Sequence, residues 1–368
     1  MSPLTRTHDW SDVDHILCVR LDNMGDVLMS TPAMRALRQS GRARRRLTLL
    51  GSPAGCALAP HLPLVDECIA YEAAWSKNGS TGNAQDLAAI ERLRRSGAQA
   101  AVIFTVYSQS PLPAALLCHL AGIPRVLAYC RENPYRLISH WQRETEPEGG
   151  WRHEVQRQLD LVAAVGAHTD DTRMAFHVRQ ADRAALAAKL RAIGAPPRGW
   201  IAVHGGATAA SRRYPAKLLA GAVAGLRRAT GRPVVLLGGE QERALNAQLM
   251  RECGPGVLDL GARLSLGELG AAIEAADLLV CNNSGPAHIG AALGTPIVEL
   301  YALTNPQHTP WRTPHRVLNQ DVPCRNCYRS VCPQGHHACL AGVPPEQVVR
   351  AACELLGRSV ALAASTAA

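Results

Sequence analysis

The sequence is poor in aromatic residues, which make up 4% of its 368 positions. Most of its apolar residues are Ala, Leu and Val, a composition typical of helices packed on parallel strands and unlike that of a β-sandwich. Hydrophobic residues account for 47% of the chain and charged residues for 19%, so a large core can form. A globular α/β protein of this length is expected to have two domains.

Long apolar runs are also missing. The chain has no stretch of about 18 apolar residues that could cross a bilayer. Its first residues, MSPLTRTHDWSDVDH, contain no apolar signal core. We therefore expect the protein to stay in the cytoplasm and its twelve cysteines to be reduced.

Several cofactor and catalytic motifs are absent from the sequence. It has no GxGxxG fingerprint, no GxxxxGK[ST] phosphate loop and no GxSxG elbow, which disfavours nicotinamide, flavin, P-loop and α/β-hydrolase chemistry. The net charge of +9 indicates an acidic partner such as a phosphorylated substrate or an anionic lipid surface. Because the arginines are spread out and no nucleic-acid-binding motif occurs, we expect no nucleic-acid partner.

One stretch, LLVCNNSGPAHIGAALGTPIVELY at 278–301, predicts a strand, a polar turn, a short helix and a second strand. Pro286 suits the first helical position, and the free N–H groups of the following turn favour a phosphate or carboxylate. Ser284, Gly285 and His288 are the candidate anion-binding residues. An ordinary strand-to-helix turn, with Ser284 as a cap and a surface His288, is the alternative.

A second candidate site follows the first predicted strand, HILCVRL at 15–21. The pattern predicts that the next helix begins at Pro32 with Thr31 as its N-cap, so that Asp26 lies in a loop above the sheet. Ligands bind there in open α/β sheets, and Asp26 is therefore a candidate general base. Arg20 is expected to pair with Asp22 or Asp26. The alternative is that Asp26 only caps a helical turn.

Strand and helix patterns then alternate along the chain in two series. The first series reaches a predicted strand at 125–129 and is followed by a polar loop at 130–151. Residues 153–166 predict a helix, and residues 167–178 predict a linker. The second series places Gly-rich turns after its strands at 199–207 and 232–240. Two Rossmann-like halves are the simplest architecture.

Three segments, in the same order and spacing, resemble glycosyltransferase family 9, the heptosyltransferases of lipopolysaccharide core assembly. They are RLDNMGDVLMSTPAMRAL, GGATAASRRYPA and NNSGPAHIGAALGTPIVELYALTNP. The resemblance implies a GT-B fold, with two Rossmann-like domains that face each other across a cleft. It places an acceptor-binding domain at 1–172 and a nucleotide-sugar-binding domain at 173–368, which includes a Cys-rich segment at 324–339 and a flexible tail at 360–368.

The same resemblance implies an inverting, metal-independent transfer of heptose from ADP-heptose to a lipopolysaccharide core or related lipid-linked acceptor. Asp26 matches the catalytic base, and Arg212 matches the cation that neutralises the leaving diphosphate. Ser284, Gly285 and His288 match the phosphate-binding turn. Thr304 matches a loop residue that contacts the donor.

The chain departs from the family pattern at two places. Asn283 stands where the family often has Asp, and YALT replaces the commoner YGPT. The contact to the donor ribose is assigned to Glu240 or Glu242, between which the sequence does not choose. The Asn283 departure leaves the base and sugar specificity open. The alternatives to the heptosyltransferase interpretation are a GT-B transferase with another nucleotide sugar or with a protein or capsule acceptor, and a non-catalytic GT-B-like binding protein.

The cysteines near the C-terminus form a CxxC-x4-C-x6-C pattern made by Cys324, Cys327, Cys332 and Cys339. Four thiolates at such spacing could hold a structural zinc or iron. Reduced cysteines that pack a loop, or a redox-labile pair, are the alternatives. The expected reaction needs no metal.

The net positive charge of the chain predicts peripheral contact with the anionic inner face of the inner membrane.

Overall fold

The computed structural model of the chain describes residues 10–41, 44–76 and 82–357. The chain divides after His177 into an N-terminal unit and a C-terminal unit, each with its own core. The tail predicted to be flexible lies outside the described residues. Within the described ranges, no helix combines the length and apolar character needed to span a bilayer.

The N-terminal unit alternates strands and helices around a six-stranded sheet with the order β3-β2-β1-β4-β5-β6. Its elements are β1 (His15–Arg20), α1 (Met24–Gln39), β2 (Arg46–Gly51), α2 (Pro53–Cys56), β3 (Glu67–Ala70), α3 (Asn83–Ser96), β4 (Ala100–Ile103), α4 (Leu112–Leu120), β5 (Arg125–Cys130), β6 (His140–Arg143) and α5 (Glu154–Ala163). All neighbouring strands in this sheet pair in parallel. β1 lies centrally and is buried along its whole length, as its apolar sequence predicts.

The C-terminal unit contains a second six-stranded parallel sheet with the order β12-β11-β10-β7-β8-β9. Its elements are α6 (Gln180–Ala192), β7 (Ile201–His204), α7 (Ala216–Thr230), β8 (Val234–Leu236), α8 (Arg243–Cys253), β9 (Val257–Asp259), α9 (Leu266–Ala275), β10 (Leu278–Asn282), α10 (Gly285–Leu293), β11 (Ile297–Leu300), β12 (His315–Leu318), α11 (Ala338–Ala341) and α12 (Pro345–Leu355). The strand order reverses between β7 and β10, and ligands of open α/β sheets bind at such a point. The prediction of two Rossmann-like units is confirmed.

Helices cover both faces of the second sheet. Val280 and Leu300 point to the face that packs with Leu219 of α7 and Val348 of α12. The opposite face meets α10, where a Cβ atom on Gly290 would lie 2.9 Å from Leu279 and 3.2 Å from Ile297. Only a glycine permits this close approach of helix to strand. Residues on β10 and β11 that alternate with Val280 and Leu300 therefore face α10.

The predicted start of the first helix is wrong. α1 begins at Met24, eight residues before Pro32, and includes Asp26 in its first turn. Pro32 is tolerated inside the helix because the carbonyl of Leu28, which would otherwise accept an N–H from position 32, accepts the Thr31 hydroxyl at 2.6 Å. Asp26 is therefore a helical residue.

The expectation that the cysteines are all reduced is also wrong. Cys56, at the end of α2, is joined to Cys68 of β3 by a disulfide, with their Cα atoms 5.9 Å apart. This separation lies within the range that a disulfide can bridge. The pairing was not visible in the sequence because it depends on α2 packing beside β3.

Candidate functional site

The Asp26 carboxylate caps the N-terminus of α1, the helix to which it belongs. Its Oδ2 atom accepts a hydrogen bond from the backbone N–H of Asn23 at 3.1 Å, which satisfies a donor just before the first turn of α1. A carboxylate in this position also interacts favourably with the positive end of the helix dipole. The capping alternative raised by the sequence therefore describes a real contact, and any role as a base comes in addition to it.

Arg20 holds three carboxylates at the end of β1. Its buried guanidinium lies 3.0 Å from Asp22, 3.3 Å from Asp26 and 2.9 Å from Glu154. The sequence predicted a pairing with Asp22 or Asp26, and the structure shows both. The pairing with Glu154 was missed because the two residues are 134 positions apart. Arg20 thereby fixes the Asp26 carboxylate from its buried side, while the Asp26 side chain stays 16% exposed.

Asp22 is the second acid of this cluster. Its Oδ1 accepts a hydrogen bond from the Gln109 side chain at 2.6 Å. Burial raises the pKa of Asp22 and the nearby Asp26 charge raises it further, although Arg20 opposes both. The pKa of Arg20 is raised, because its carboxylate partners outweigh the desolvation that lowers it. The Arg20 guanidinium therefore stays charged and interacts with all three carboxyl groups of the cluster.

The predicted anion-binding turn lies in the C-terminal unit, between β10 and α10. Ser284 and Gly285 are half-buried, Pro286 occupies the first turn of α10, and His288 is buried one turn in. The Ser284 hydroxyl donates to the carbonyl of Asn282 at 3.2 Å. The first turn of a helix presents N–H groups without helical acceptors, so this turn can receive an anion.

Asn282 ties the last residue of β10 to the neighbouring loops, a role that the sequence did not reveal. Its buried Nδ2 donates to the carbonyl of Gly205 at 2.7 Å, and its Oδ1 accepts the backbone N–H of Tyr214 at 3.1 Å. These two bonds join the ends of β7 and β10 to the loop that carries Arg212. The short amide side chain at the switch point therefore sets the geometry of both loops.

We expect Asn282→Ala to destabilise the protein by about 2 kcal/mol, because it leaves a buried carbonyl and a buried N–H without partners. Gln241→Ala, at an exposed position of the same unit, should change stability by less than about 0.5 kcal/mol. Urea unfolding monitored by circular dichroism would measure both. Equal stability of the two variants would contradict the bridging role of Asn282.

Arg212 ends a 3-10 turn, Ala210–Arg212, in the loop after β7. Arg212 is half-buried as a residue, and its charge opposes the rise that burial causes in the pKa of Glu299 on β11. Thr304, in the loop after β11, is buried, and among the described residues its hydroxyl has no hydrogen-bond partner. Both residues belong to loops at the carboxyl edge of the second sheet, where the turn before α10 also lies.

The two acids predicted to contact ribose have different surroundings. Glu240 is exposed and pairs with Arg243 at 2.7 Å. Glu242 accepts a hydrogen bond from the backbone N–H of Gly239 at 2.8 Å. Its side chain lies against Gly206, because a Cβ atom added to Gly206 would be 2.2 Å from the Glu242 Oε1 atom. Glu242 therefore lies over the Gly-rich turn after β7, whereas Glu240 points to solvent.

The Cys-rich segment packs on the loops that carry Arg212 and Thr304. The carbonyls of Arg329 and Ser330 accept hydrogen bonds from Ser211, and the N–H of Tyr328 donates to the carbonyl of Thr304 at 3.0 Å.

The four cysteines of this segment are the predicted metal ligands. Burial raises the pKa of the Cys339 thiol, and the charges of the other three cysteines add to this rise. All four thiols are free. The described residues contain no group of three or more metal-ligating side chains arranged to hold a metal ion. The predicted zinc or iron site stays a prediction.

Two α/β units, each built on a parallel six-stranded sheet, are the architecture of the GT-B class of glycosyltransferases. The chain belongs to glycosyltransferase family 9 (heptosyltransferase), whose family model matches residues 90–338. The matched range includes Arg212, Ser284, His288 and Thr304. Asp26 lies before it.

Individual relatives are distant in sequence. The lipooligosaccharide heptosyltransferase 2 of Campylobacter jejuni is 23% identical over 214 residues, which cover 56% of this chain and 65% of that protein. The match thus spans slightly less than two thirds of that relative. A family 9 glycosyltransferase structure from Veillonella parvula has a TM-score of 0.78 at 21% identity, covering 94% of this chain and 98% of the other. The Escherichia coli ADP-heptose LPS heptosyltransferase II structure has a TM-score of 0.72 at 20% identity, covering 93% and 98%. These two likenesses show the shared fold.

Proposed function

We propose that the protein is an inverting, metal-independent glycosyltransferase that transfers a heptose from ADP-heptose to a lipopolysaccharide core or related lipid-linked acceptor. The observation that carries the proposal is the family match over residues 90–338, which includes the turn before α10. The names of the relatives, lipooligosaccharide heptosyltransferase and ADP-heptose LPS heptosyltransferase, support the choice of donor and acceptor.

In the proposed reaction, an acceptor hydroxyl oxygen attacks the anomeric carbon of the heptose from the face opposite the leaving group. The bond between that carbon and the donor phosphate oxygen breaks, and its electron pair stays on the diphosphate of ADP. The Asp26 carboxylate takes the hydroxyl proton as the new bond forms. Arg20 supports this role because it orients the carboxylate from its buried side.

The leaving diphosphate gains negative charge as the bond breaks. We assign its stabilisation to Arg212 and to the turn formed by Ser284, Gly285 and His288, where helix N–H groups and a guanidinium suit an anion. These groups supply the positive charge that a metal ion supplies in other transferases. Thr304 is assigned to the donor as well, because its buried hydroxyl has no hydrogen-bond partner in the described part of the chain.

For the ribose of ADP we retain both acids and rank Glu242 above Glu240. Glu242 lies against the Gly-rich turn after β7, whereas Glu240 is exposed and paired with Arg243. The net charge of +9 supports peripheral contact with the anionic inner face of the inner membrane, and hence a cytoplasmic location.

The proposal predicts that ADP binds saturably to the purified protein and that GDP and UDP bind at least about tenfold more weakly. Calorimetric titration with the three nucleotides would measure this. Transfer from ADP-heptose to a core oligosaccharide should then proceed in the presence of a chelator. A preference for UDP or GDP would move the function to another sugar donor, and the absence of any nucleotide binding would favour a non-catalytic relative.

A further inference from the structure

The loop between β12 and α11 is long for a compact unit. Residues 319–337, which we call the β12–α11 loop, contain no helix or strand and include three of the four cysteines of the Cys-rich segment. Loops longer than about 12–15 residues without secondary structure are uncommon and are usually either disordered or functional. The N–H of Gln320 donates to the carbonyl of Cys339 at 2.8 Å, which holds the two ends of this loop together. The proposed mechanism gives the loop no role.

Ser211 joins the β12–α11 loop to the loop after β7. Its hydroxyl donates to the carbonyl of Arg329 at 2.6 Å, and its backbone N–H donates to the carbonyl of Ser330 at 3.0 Å. Ser211 is only 4% exposed, so its hydroxyl depends on this acceptor within the protein rather than on water. It directly precedes Arg212, the residue that we assigned to the diphosphate.

The stretch that carries Arg212 is therefore anchored on both sides. On one side, the Asn282 side chain accepts the backbone N–H of Tyr214 at 3.1 Å. On the other side, Ser211 is bound to the β12–α11 loop. Backbone anchors on both sides of a binding residue reduce the conformational entropy that is lost when a ligand orders it.

The same loop contacts the loop after β11, which carries Thr304. The N–H of Asn326 donates to the carbonyl of Leu303 at 2.7 Å, and the N–H of Tyr328 donates to the carbonyl of Thr304 at 3.0 Å. Asn326 and Tyr328 have φ angles of 58° and 52°, in the left-handed region. Asn tolerates this region, but an aromatic residue there is an outlier, and such outliers cluster at functional sites. At Tyr328 the outlier accompanies the bond to Thr304.

We propose that the β12–α11 loop is a brace of the donor site, which holds the loops of Arg212 and Thr304 in the arrangement that binds the diphosphate of ADP, and that Ser211 is the positioning residue that connects it to Arg212. The inference rests on the proposed function and adds to it a structural element and a residue. The two donor loops follow β7 and β11, which β10 separates in the sheet. Without the brace each loop moves separately, and nucleotide binding must then supply the cost of ordering both.

The coupling between brace and nucleotide is reciprocal. If the loop favours ADP binding, bound ADP must stabilise the loop by the same free energy. ADP should therefore slow the hydrogen exchange of the Asn326 and Tyr328 amides, although neither residue is assigned to the nucleotide. A loop that only contributes to global stability would not respond in this way.

The first measurement is amide hydrogen exchange of the full chain without nucleotide, followed by mass spectrometry on peptides that cover the β12–α11 loop. Ser211→Ala should make exchange in these peptides about fivefold faster, the factor expected for one lost hydrogen bond. Thr295→Val is the matched control. The buried Thr295 hydroxyl donates to the carbonyl of Ile273 at 2.9 Å, just before β11 at the opposite edge of the sheet, so the loop should exchange as in the wild type.

Calorimetric titration with ADP then tests the donor site. Ser211→Ala should bind ADP about fivefold more weakly than the wild type, and Thr295→Val should bind it within about twofold of the wild type. In the wild type, saturating ADP should slow exchange in the loop peptides by at least about threefold.

Three results would overturn the inference and leave the proposed function intact. They are loop exchange in Ser211→Ala equal to that of the wild type, wild-type ADP affinity in Ser211→Ala, and loop exchange that ADP does not change. Equal losses of affinity in Ser211→Ala and Thr295→Val would overturn it too, because both would then reflect general destabilisation. No ADP binding by the wild type would contradict the proposed function itself, and the inference with it.

Discussion

Replacing Asp26 by asparagine should lower the turnover number for heptose transfer by about 10²- to 10⁴-fold, the range expected when a general base is removed. The amide keeps the size of the side chain and its oxygen can still accept the N–H of Asn23, but it cannot take a proton from an acceptor hydroxyl. We expect the affinity for ADP to stay within about twofold of the wild type, because the residues assigned to the nucleotide lie in the C-terminal unit. Transfer assays at saturating substrates, with ADP titration alongside, would measure both quantities.

The control must separate catalysis from helix capping, because Asp26 performs the second role in the structure. Asp182 is a matched residue. It occupies the first turn of α6, its carboxylate accepts the N–H of Arg179 at 3.3 Å, and it pairs with the Arg179 side chain at 2.7 Å. Asp182→Asn should therefore lose stability as Asp26→Asn does, by about 1 kcal/mol, without a large fall in turnover. Similar turnover in the two variants would show that Asp26 acts only as a cap.

The sequence predicted the fold well where local signals agree. Short apolar runs bounded by Gly, Pro and polar residues indicated β1, β10 and β11, and the Gly-Pro turn marked the start of α10. β6 was predicted as loop because His140–Arg143 is a half-exposed edge strand with little apolar content. Its parallel pairing with β5, which stabilises it, is a tertiary contact that a local pattern does not contain.

For the candidate sites too, the sequence identified residues with a clear local signal and missed their distant partners. Asp26 and Ser284 could be identified because each lies just after a strand, close to the start of the next helix. Arg20 holds the Asp26 carboxylate, and the other buried partner of Arg20, Glu154, lies far away in sequence. Pro32 is an instructive error, since its usual preference for a helix start is overridden by the Thr31 hydroxyl that occupies the orphaned carbonyl. Specific side-chain contacts, rather than residue types alone, fix these details.

The other large effect is expected at Arg212. Removing its guanidinium by Arg212→Ala should weaken ADP binding by about 10- to 100-fold, the equivalent of losing one charge-assisted hydrogen bond. The turnover number should fall too, because the diphosphate carries more charge in the transition state than in the bound donor. Arg212→Lys should recover part of the affinity, since it restores the charge without the planar fork that binds two phosphate oxygens.

The adjacent arginine supplies the matched control for this prediction. Arg213 is exposed, and its Nε donates to the carbonyl of Ala207 at 2.7 Å, so its side chain is committed to the loop itself. Arg213→Ala removes the same charge from the next position and should change ADP affinity by less than about threefold, because an exposed charge is screened by water and salt. Equal losses in the two variants would mean that the loop attracts nucleotides through general positive charge. A wild-type rate in Arg212→Ala would remove Arg212 from the site. A loss confined to Arg212 would place the leaving diphosphate at this arginine, in the loop that follows β7.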